Sequence, residues 1–345
     1  MFIVLSILSF LGFIAKGEGY KDLDVNQFEQ TALDGIAAVV DVRTPEEYAE
    51  GHLNNAANVD WKASDFMAKI EAAYPKEVPL ALYCRSGRRS AEAAQALTKA
   101  GYSVYNMLGG YLAWTKAGKT VVPYEVETFI TPEFSPVSIT LIKHGSLAIF
   151  YHGKTIQIDP VGGYGKPTDY ATEFPKAEAL FVTHEHGDHF DKAAIAALYE
   201  EGKTTLITNE RCAEMLGYGI AVSNGGDGEL PCGVEFNVVP AYNYTEGHTQ
   251  FHPKGRDNGF VFDFEGLRIY IAGDTEDIPE MADIEDIDIA FLPVNQPYTM
   301  TVEQCINAAK IIKPKVLIPY HFSNTDLSNL PARLPGIKVL LRQMQ

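Results

Sequence analysis

Cysteine is scarce in this chain, with only Cys84, Cys212, Cys232 and Cys305 among 345 residues and no C-x-x-C pair. That spacing excludes a disulfide framework and a cysteine-based zinc site. A Cys212–Cys232 bridge would require an oxidising compartment and has no spacing signature. Basic residues are also short: 28 Lys and Arg stand against 45 Asp and Glu, a net charge of -17. So acidic a surface is poorly matched to a phosphate backbone, and nucleic acid is excluded as the expected partner. A transmembrane span is not expected either. The apolar N-terminal run MFIVLSILSFLGFIA is fifteen residues long, short of the roughly 20 a bilayer needs. No Lys or Arg precedes Lys16, so the usual basic start of a signal peptide is missing, but Ala15-x-Gly17 offers a cleavage pattern. Residues 1–19 are expected to be a signal peptide, with export to a periplasmic or other extracytoplasmic space. The alternative is a buried N-terminal strand or helix in a cytoplasmic protein.

What is present reads as two α/β domains, since the chain is long for a single core. Over residues 20–121 strands alternate with helices. GIAAVVDVR and VPLALYC read as buried strands, while TPEEYAEGH reads as a helix with Thr44 as N-cap and Pro45 at its first position. RRSAEAAQALTKAG is a second helix, closed by Gly101. This alternation predicts a parallel sheet with its site at the carboxyl ends of the strands. Residues 122–137, rich in proline and acids, are expected to be a linker. From 138 to 345 the pattern changes, beginning with strands that turn at His144-Gly145 and His152-Gly153.

The stretch CRSGRRS follows a strand and opens a helix. Cys84 therefore stands where successive backbone N–H groups of Arg85, Ser86, Gly87, Arg88, Arg89 and Ser90 can curl around an anion. The three arginines add positive potential, and each effect favours a thiolate. A phosphatase loop of the form C-x5-R would need arginine at position 90, which is Ser90. The observed C-x4-R is a smaller cradle, suited to one sulfur atom. Together, DVRTPEEYAEGHLNNAANVD, YCRSGRRSAEAA and YNMLGGYLAW resemble a rhodanese (sulfurtransferase) domain over about residues 21–120. The resemblance implies that Cys84 is catalytic and carries a persulfide between a sulfane-sulfur donor and a thiol acceptor. It also implies that Asp41 and Arg43 brace the loop and that Arg85 and Arg89 steer the donor. His52 in this domain reads as structural.

The histidines cluster in FVTHEHGDHFD, which places His184, His186, Asp188 and His189 in one loop after a strand. Imidazoles and a carboxylate this dense are explained by a divalent cation. Asp274 in IYIAGDT and His321 in VLIPYHF follow other strands, and His252 or His248 in GHTQFHPKG offers another donor. Asp274 could bridge two ions, one held by His184, His186 and His252 and the other by Asp188, His189 and His321. Two ions sharing a water suit hydrolysis, and Asp188 is also a candidate catalytic carboxylate. The order H-x-H-x-D-H, then GDT, then a strand-end histidine resembles the metallo-β-lactamase superfamily over about residues 136–345. That implies an αββα sandwich and two divalent metals, expected to be zinc with manganese or iron as alternatives. The flanking motifs resemble a branch containing sugar-lactone hydrolases and the phospholipase D that acts on N-acyl phosphatidylethanolamines. In that branch FHPKG supplies the mid-chain ligand, which favours His252 and leaves His248 beside the ligands. Tyr298 and Asn295 could contact substrate. His144 and His152, at hairpin turns, read as surface or structural.

The expected architecture is a rhodanese-like parallel-sheet domain followed by a metallo-β-lactamase sandwich. Its expected function pairs sulfur transfer with hydrolysis of a small-molecule ester, lactone, thioester or phosphodiester. Two alternatives remain at this point. Fusions of these domains resemble persulfide dioxygenases, whose single iron would use His184, His252 and Asp274, although those fusions place the metallo-domain first. Alternatively, the first domain is a non-catalytic sensor or docking module.

Overall fold

A computed structural model describes residues 19–344, so almost all of the expected signal peptide lies outside the described residues. Among the described residues no helix is long and apolar enough to cross a membrane. The chain divides into two compact units. One runs to Pro123 and includes Phe134–Pro136; the other comprises Tyr124–Glu133 and the chain from Val137 onward.

The first unit is built on five parallel strands, in the order Lys21–Leu23, Val104–Met107, Leu80–Tyr83, Ala38–Asp41, Ala57–Asn58. The central strand LALY and its neighbour AVVD are buried along their whole length, as continuous apolar runs in a helix-covered sheet must be. The helix Pro45–Ala49 begins as expected, with Thr44 as its N-cap and Pro45 in its first turn. Glu47 completes a capping box. The helix Arg88–Lys99 starts from Gly87 in the left-handed region, so the turn out of the Cys84 strand depends on glycine.

The second unit stacks two seven-stranded sheets. One has the order Ile220–Ala221, Thr205–Thr208, Ala179–Val182, Lys154–Ile158, Ser146–Tyr151, Pro136–Lys143, Glu125–Ile130. The other has the order Asp227–Glu229, Glu235–Ala241, Asp257–Phe264, Leu267–Ile271, Ile289–Pro293, Val316–Tyr320, Lys338–Val339. Phe181 from the first sheet meets Phe236, Phe260 and Phe262 of the second edge-to-face, at centroid distances of 5.2, 4.9 and 4.8 Å. These rings belong to one apolar core shared by both sheets. The helix Val302–Ile312 lays Cys305, Ile306, Ala309 and Ile312 on the outer face of the second sheet. The helices Lys192–Leu198 and Glu210–Leu216 accompany the first sheet, which makes an αββα sandwich.

The segment read as a linker differs from expectation. Glu125–Ile130 is a strand at the sheet edge, and its prolines flank it rather than interrupt it. Glu125 and Glu127 on that edge face Arg342, whose Nε lies 3.4 and 2.6 Å from their carboxylates. The acids that suggested an unstructured link are the charged edge of a sheet, which discourages pairing with a second chain. Their partner is more than 200 positions away, outside the reach of local pattern. The described cysteines are all free, so no Cys212–Cys232 bridge forms.

Candidate metal centre and sulfur-carrying loop

In the second unit, strand ends deliver the donors to one edge of the sandwich. His184 follows Ala179–Val182, Asp274 follows Leu267–Ile271, His321 directly follows Val316–Tyr320, and His252 precedes Asp257–Phe264. Gly273 in GDT permits the approach of Asp274. Its φ is +65°, and a Cβ there would lie 2.6 Å from the Asn258 carbonyl oxygen. The donor atoms form three overlapping groups that could each hold an ion: His184, His186 and His252; His144, Asp188, His189 and His321; and His184, His189 and Asp274. Asp274 Oδ2 is 3.4 Å from His252 Nε2, 3.2 Å from His321 Nε2 and 3.8 Å from His184 Nε2, while Oδ1 is 3.3 Å from His189 Nε2. One carboxylate therefore touches both halves of the cluster.

The tautomers follow from the partners on the other side of each ring. His189 Nδ1 is 2.7 Å from Asp159 Oδ2, and His252 Nδ1 is 2.9 Å from Asp257 Oδ2. A carboxylate only accepts, so each Nδ1 carries the proton. Thr183 donates its hydroxyl to Asp159 at 2.7 Å, so its oxygen accepts from His184 Nδ1 at 2.9 Å. All three rings thus turn a bare Nε2 towards Asp274. His184 Nε2, His189 Nε2, His321 Nε2 and Asp274 Oδ1 are buried without a hydrogen-bond partner among the described residues. Lone pairs facing a buried carboxylate repel one another unless a cation lies between them. The donor set therefore fits divalent metal, and Asp159 and Asp257 supply the outer carboxylates that fix ligating imidazoles.

The electrostatics lead to the same conclusion. Burial opposes charge on His189 and His321, yet Asp274 with Asp159 drives His189 well above the histidine range, and Asp274 with Asp188 lifts His321 to about 9. Burial alone would raise Asp274, but His189 and His321 hold it well below the carboxylate range. His184 moves the opposite way, driven well down by burial and by its neighbour His189. The cluster demands positive charge that the rings can supply only in part.

One sequence expectation changes here, and the preference for His252 over His248 agrees with the donor groups. His144 is not at the surface: it is 4% exposed, its Nε2 lies 3.1 Å from Asp188 Oδ2, and its ring lies against that of His321 at 3.7 Å, tilted by 40°. A histidine in a hairpin turn ordinarily faces solvent, but this turn folds over the donor edge. His248 joins none of the three donor groups. Its Nδ1 faces Glu276 Oε1 at 3.4 Å, and Asp257 takes the place beside His252. Asp159 and Asp257 were missed as site residues. For Asp159 a signal existed, an acid at the end of an apolar strand in IQIDP. His152 is exposed and stacks on Tyr151, as a structural surface residue would. Tyr298 is half exposed, with its ring edge-on to Phe251 at 5.0 Å, and the Asn295 backbone N–H donates to the Thr299 hydroxyl at 2.8 Å.

In the first unit, Cys84 ends the strand Leu80–Tyr83 and is 1% exposed. The Gly87 N–H donates to Sγ at 3.2 Å and the Ser90 hydroxyl lies 3.5 Å from it. The Gly109-Gly110 turn closes the cradle from the next strand: a Cβ on Gly110, at φ +56°, would stand 2.2 Å from the Cys84 carbonyl oxygen. The arginines are less available than expected. Arg89 forms two bonds to Glu47, at 2.7 and 2.8 Å, and that contact holds Glu47 down to about 2. Arg88 turns outward towards Glu92, which leaves exposed Arg85 beside exposed Ser86. Asp41 and Arg43 form a buried pair, and the Arg43 guanidinium lies over Tyr111 at 4.1 Å and Tyr83 at 5.7 Å. They touch the aromatic residues flanking the loop rather than the thiol. His52 is buried and stacked on Tyr48 at 3.7 Å.

Comparison with known proteins agrees with this geometry. A rhodanese-like domain model matches residues 24–117, and a β-lactamase superfamily domain model matches residues 138–321. A protein named metal-dependent hydrolase from Geobacillus sp. (strain WCH70) is 30% identical over 197 residues, 54% of this chain and 86% of that protein. One of the same description from Nanoarchaeum equitans is 30% identical over 188 residues, 52% and 80% of the two chains. A crystal structure described as a metal-dependent hydrolase from Parabacteroides distasonis is 48% identical. It covers 64% of this chain and 100% of that one, with a TM-score of 0.62. A metallo hydrolase from Ignicoccus hospitalis, 26% identical, covers 60% and 95% with a TM-score of 0.51. The superfamily match takes in more than half of the residues, and the chain belongs to the β-lactamase superfamily, with a rhodanese-like domain ahead of its metal-binding fold.

Proposed function

We propose that this chain is a two-domain enzyme that hydrolyses a small-molecule ester, lactone, thioester or phosphodiester and also carries sulfane sulfur on Cys84. The observation that supports hydrolysis is the single carboxylate of Asp274 lying between two sets of bare donor atoms. His184, His186 and His252 would hold one divalent ion and Asp188, His189 and His321 the other, both zinc, with manganese or iron as substitutes. When bound, the ions lower the pKa of water and stabilise developing oxyanion charge. The chain's own groups do the rest. Asp159, Thr183 and Asp257 fix the ring tautomers, and Asp188, 26% exposed and kept ionised by hydrogen bonds from His144 and His321, is placed to accept a hydrogen bond at its carboxylate. A single-iron oxidation centre built from His184, His252 and Asp274 would leave the Asp188, His189 and His321 set unused, which favours the two-ion reading.

In the rhodanese-like domain, the buried thiol admits a small donor atom better than a bulky phosphate ester. Its thiolate would attack the outer sulfur of thiosulfate, and sulfite would leave with the bonding electron pair. An acceptor such as cyanide or a thiolate would then remove that sulfur and regenerate the Cys84 thiolate. The hydrolytic half is tested by chelation. Hydrolysis of p-nitrophenyl acetate and bis(p-nitrophenyl) phosphate is expected to disappear on metal removal and return with zinc or manganese. Full activity in metal-free protein would overturn the reading.

A further inference from the structure

His144 joins the donor edge through three contacts that do not depend on one another. Its Nε2 is 3.1 Å from Asp188 Oδ2, where the acceptor-only carboxylate requires the ring to donate. Its ring lies tilted against that of His321 at 3.7 Å and against that of Tyr164 at 4.5 Å. Its backbone is tied in at both ends: its N–H donates to the Met344 carbonyl at 2.6 Å, and its carbonyl accepts from the His321 N–H at 3.2 Å. His144, Asp159 and His321 all have φ between 44° and 47°. Non-glycine residues hold this conformation only where the surrounding structure imposes it, and here three of them border one site. The next residue is fitted to the same edge, because a Cβ on Gly145 would stand 2.6 Å from His189 Cε1.

Resting on the two-ion reading, we infer that His144 is a positioning residue for the second ion: its Nε2–H orients Asp188. Asp188 sits on a loop and is partly open to solvent, so without this donor its carboxylate has other rotamers available. His189 and His252 have buried carboxylates behind them; His144 takes the corresponding role for a ligand that is itself a carboxylate.

The test uses two variants of the full chain, with zinc uptake followed by elemental analysis and chelator competition. His144→Phe keeps a ring over His321 but removes the donor. It should weaken the second zinc by about 10- to 100-fold, the range for loss of an outer partner, and leave the first unchanged. His144→Gln restores an N–H donor without the ring and should recover most of that loss. A purely packing role predicts the reverse order, with the Phe variant near wild type and the Gln variant impaired, and that result would overturn the inference. If wild type itself binds fewer than two ions, the two-ion reading has failed. If wild type and His144→Phe bind two ions equally well, only the inference has failed.

Discussion

Asp274→Asn is expected to lower hydrolysis by about 10³-fold or more and to release both ions. The substitution preserves shape and removes one negative charge from the point where the two donor sets meet. Asp274 Oδ2 is within 3.4 Å of both His252 and His321, so neither half keeps its full ligand set. Charge matters more than geometry in this argument. The carboxylate sits among four buried imidazoles, where the effective dielectric is low and a neutral amide cannot replace the attraction to a cation. Metal contributes several kcal/mol of transition-state stabilisation, and about 4 kcal/mol corresponds to roughly 10³ in rate. Metal content and hydrolysis should fall together while thiosulfate:cyanide transfer stays at its wild-type rate. A variant that keeps more than a tenth of the hydrolysis with both ions bound would show that Asp274 does not bridge.

Cys84→Ser should reduce sulfur transfer from thiosulfate to cyanide to background and leave hydrolysis unchanged. Serine is smaller than cysteine and can accept the same Gly87 N–H, so the cradle should survive. What is lost is a thiolate able to bond to sulfur and release it again; a hydroxyl in this place stays protonated and is a poor nucleophile for sulfane sulfur. Unchanged transfer would remove Cys84 from the chemistry. Loss of hydrolysis along with transfer would indicate that the first domain serves the second.

Much of the site was legible because its donors fall next to strand ends in short motifs. His184, His186, Asp188 and His189 occupy one loop, and an unbroken apolar strand announces where it begins. Asp274 and His321 could be added because each follows another such strand. His144, Asp159 and Asp257 were harder, since the partner that places each at the site lies 5 to 44 positions away, out of reach of a local pattern. A lone histidine at a hairpin turn is ordinarily solvated, and only the folding of that turn over the donor edge makes His144 different. The same limit applies to the charges. Three arginines near Cys84 suggested an anion funnel, but Glu47, contributed by a helix 42 residues earlier, claims Arg89. The edge strand Glu125–Ile130 was hidden by its acids, whose counter-charge Arg342 lies near the far end of the chain.

The central claim is a two-ion hydrolytic centre, and metal stoichiometry tests it most directly. Elemental analysis of the full-length protein should find two zinc or manganese ions per chain, with no oxygen uptake when a persulfide is added. One iron per chain together with persulfide-dependent oxygen consumption would contradict the account and make the centre that of a persulfide dioxygenase.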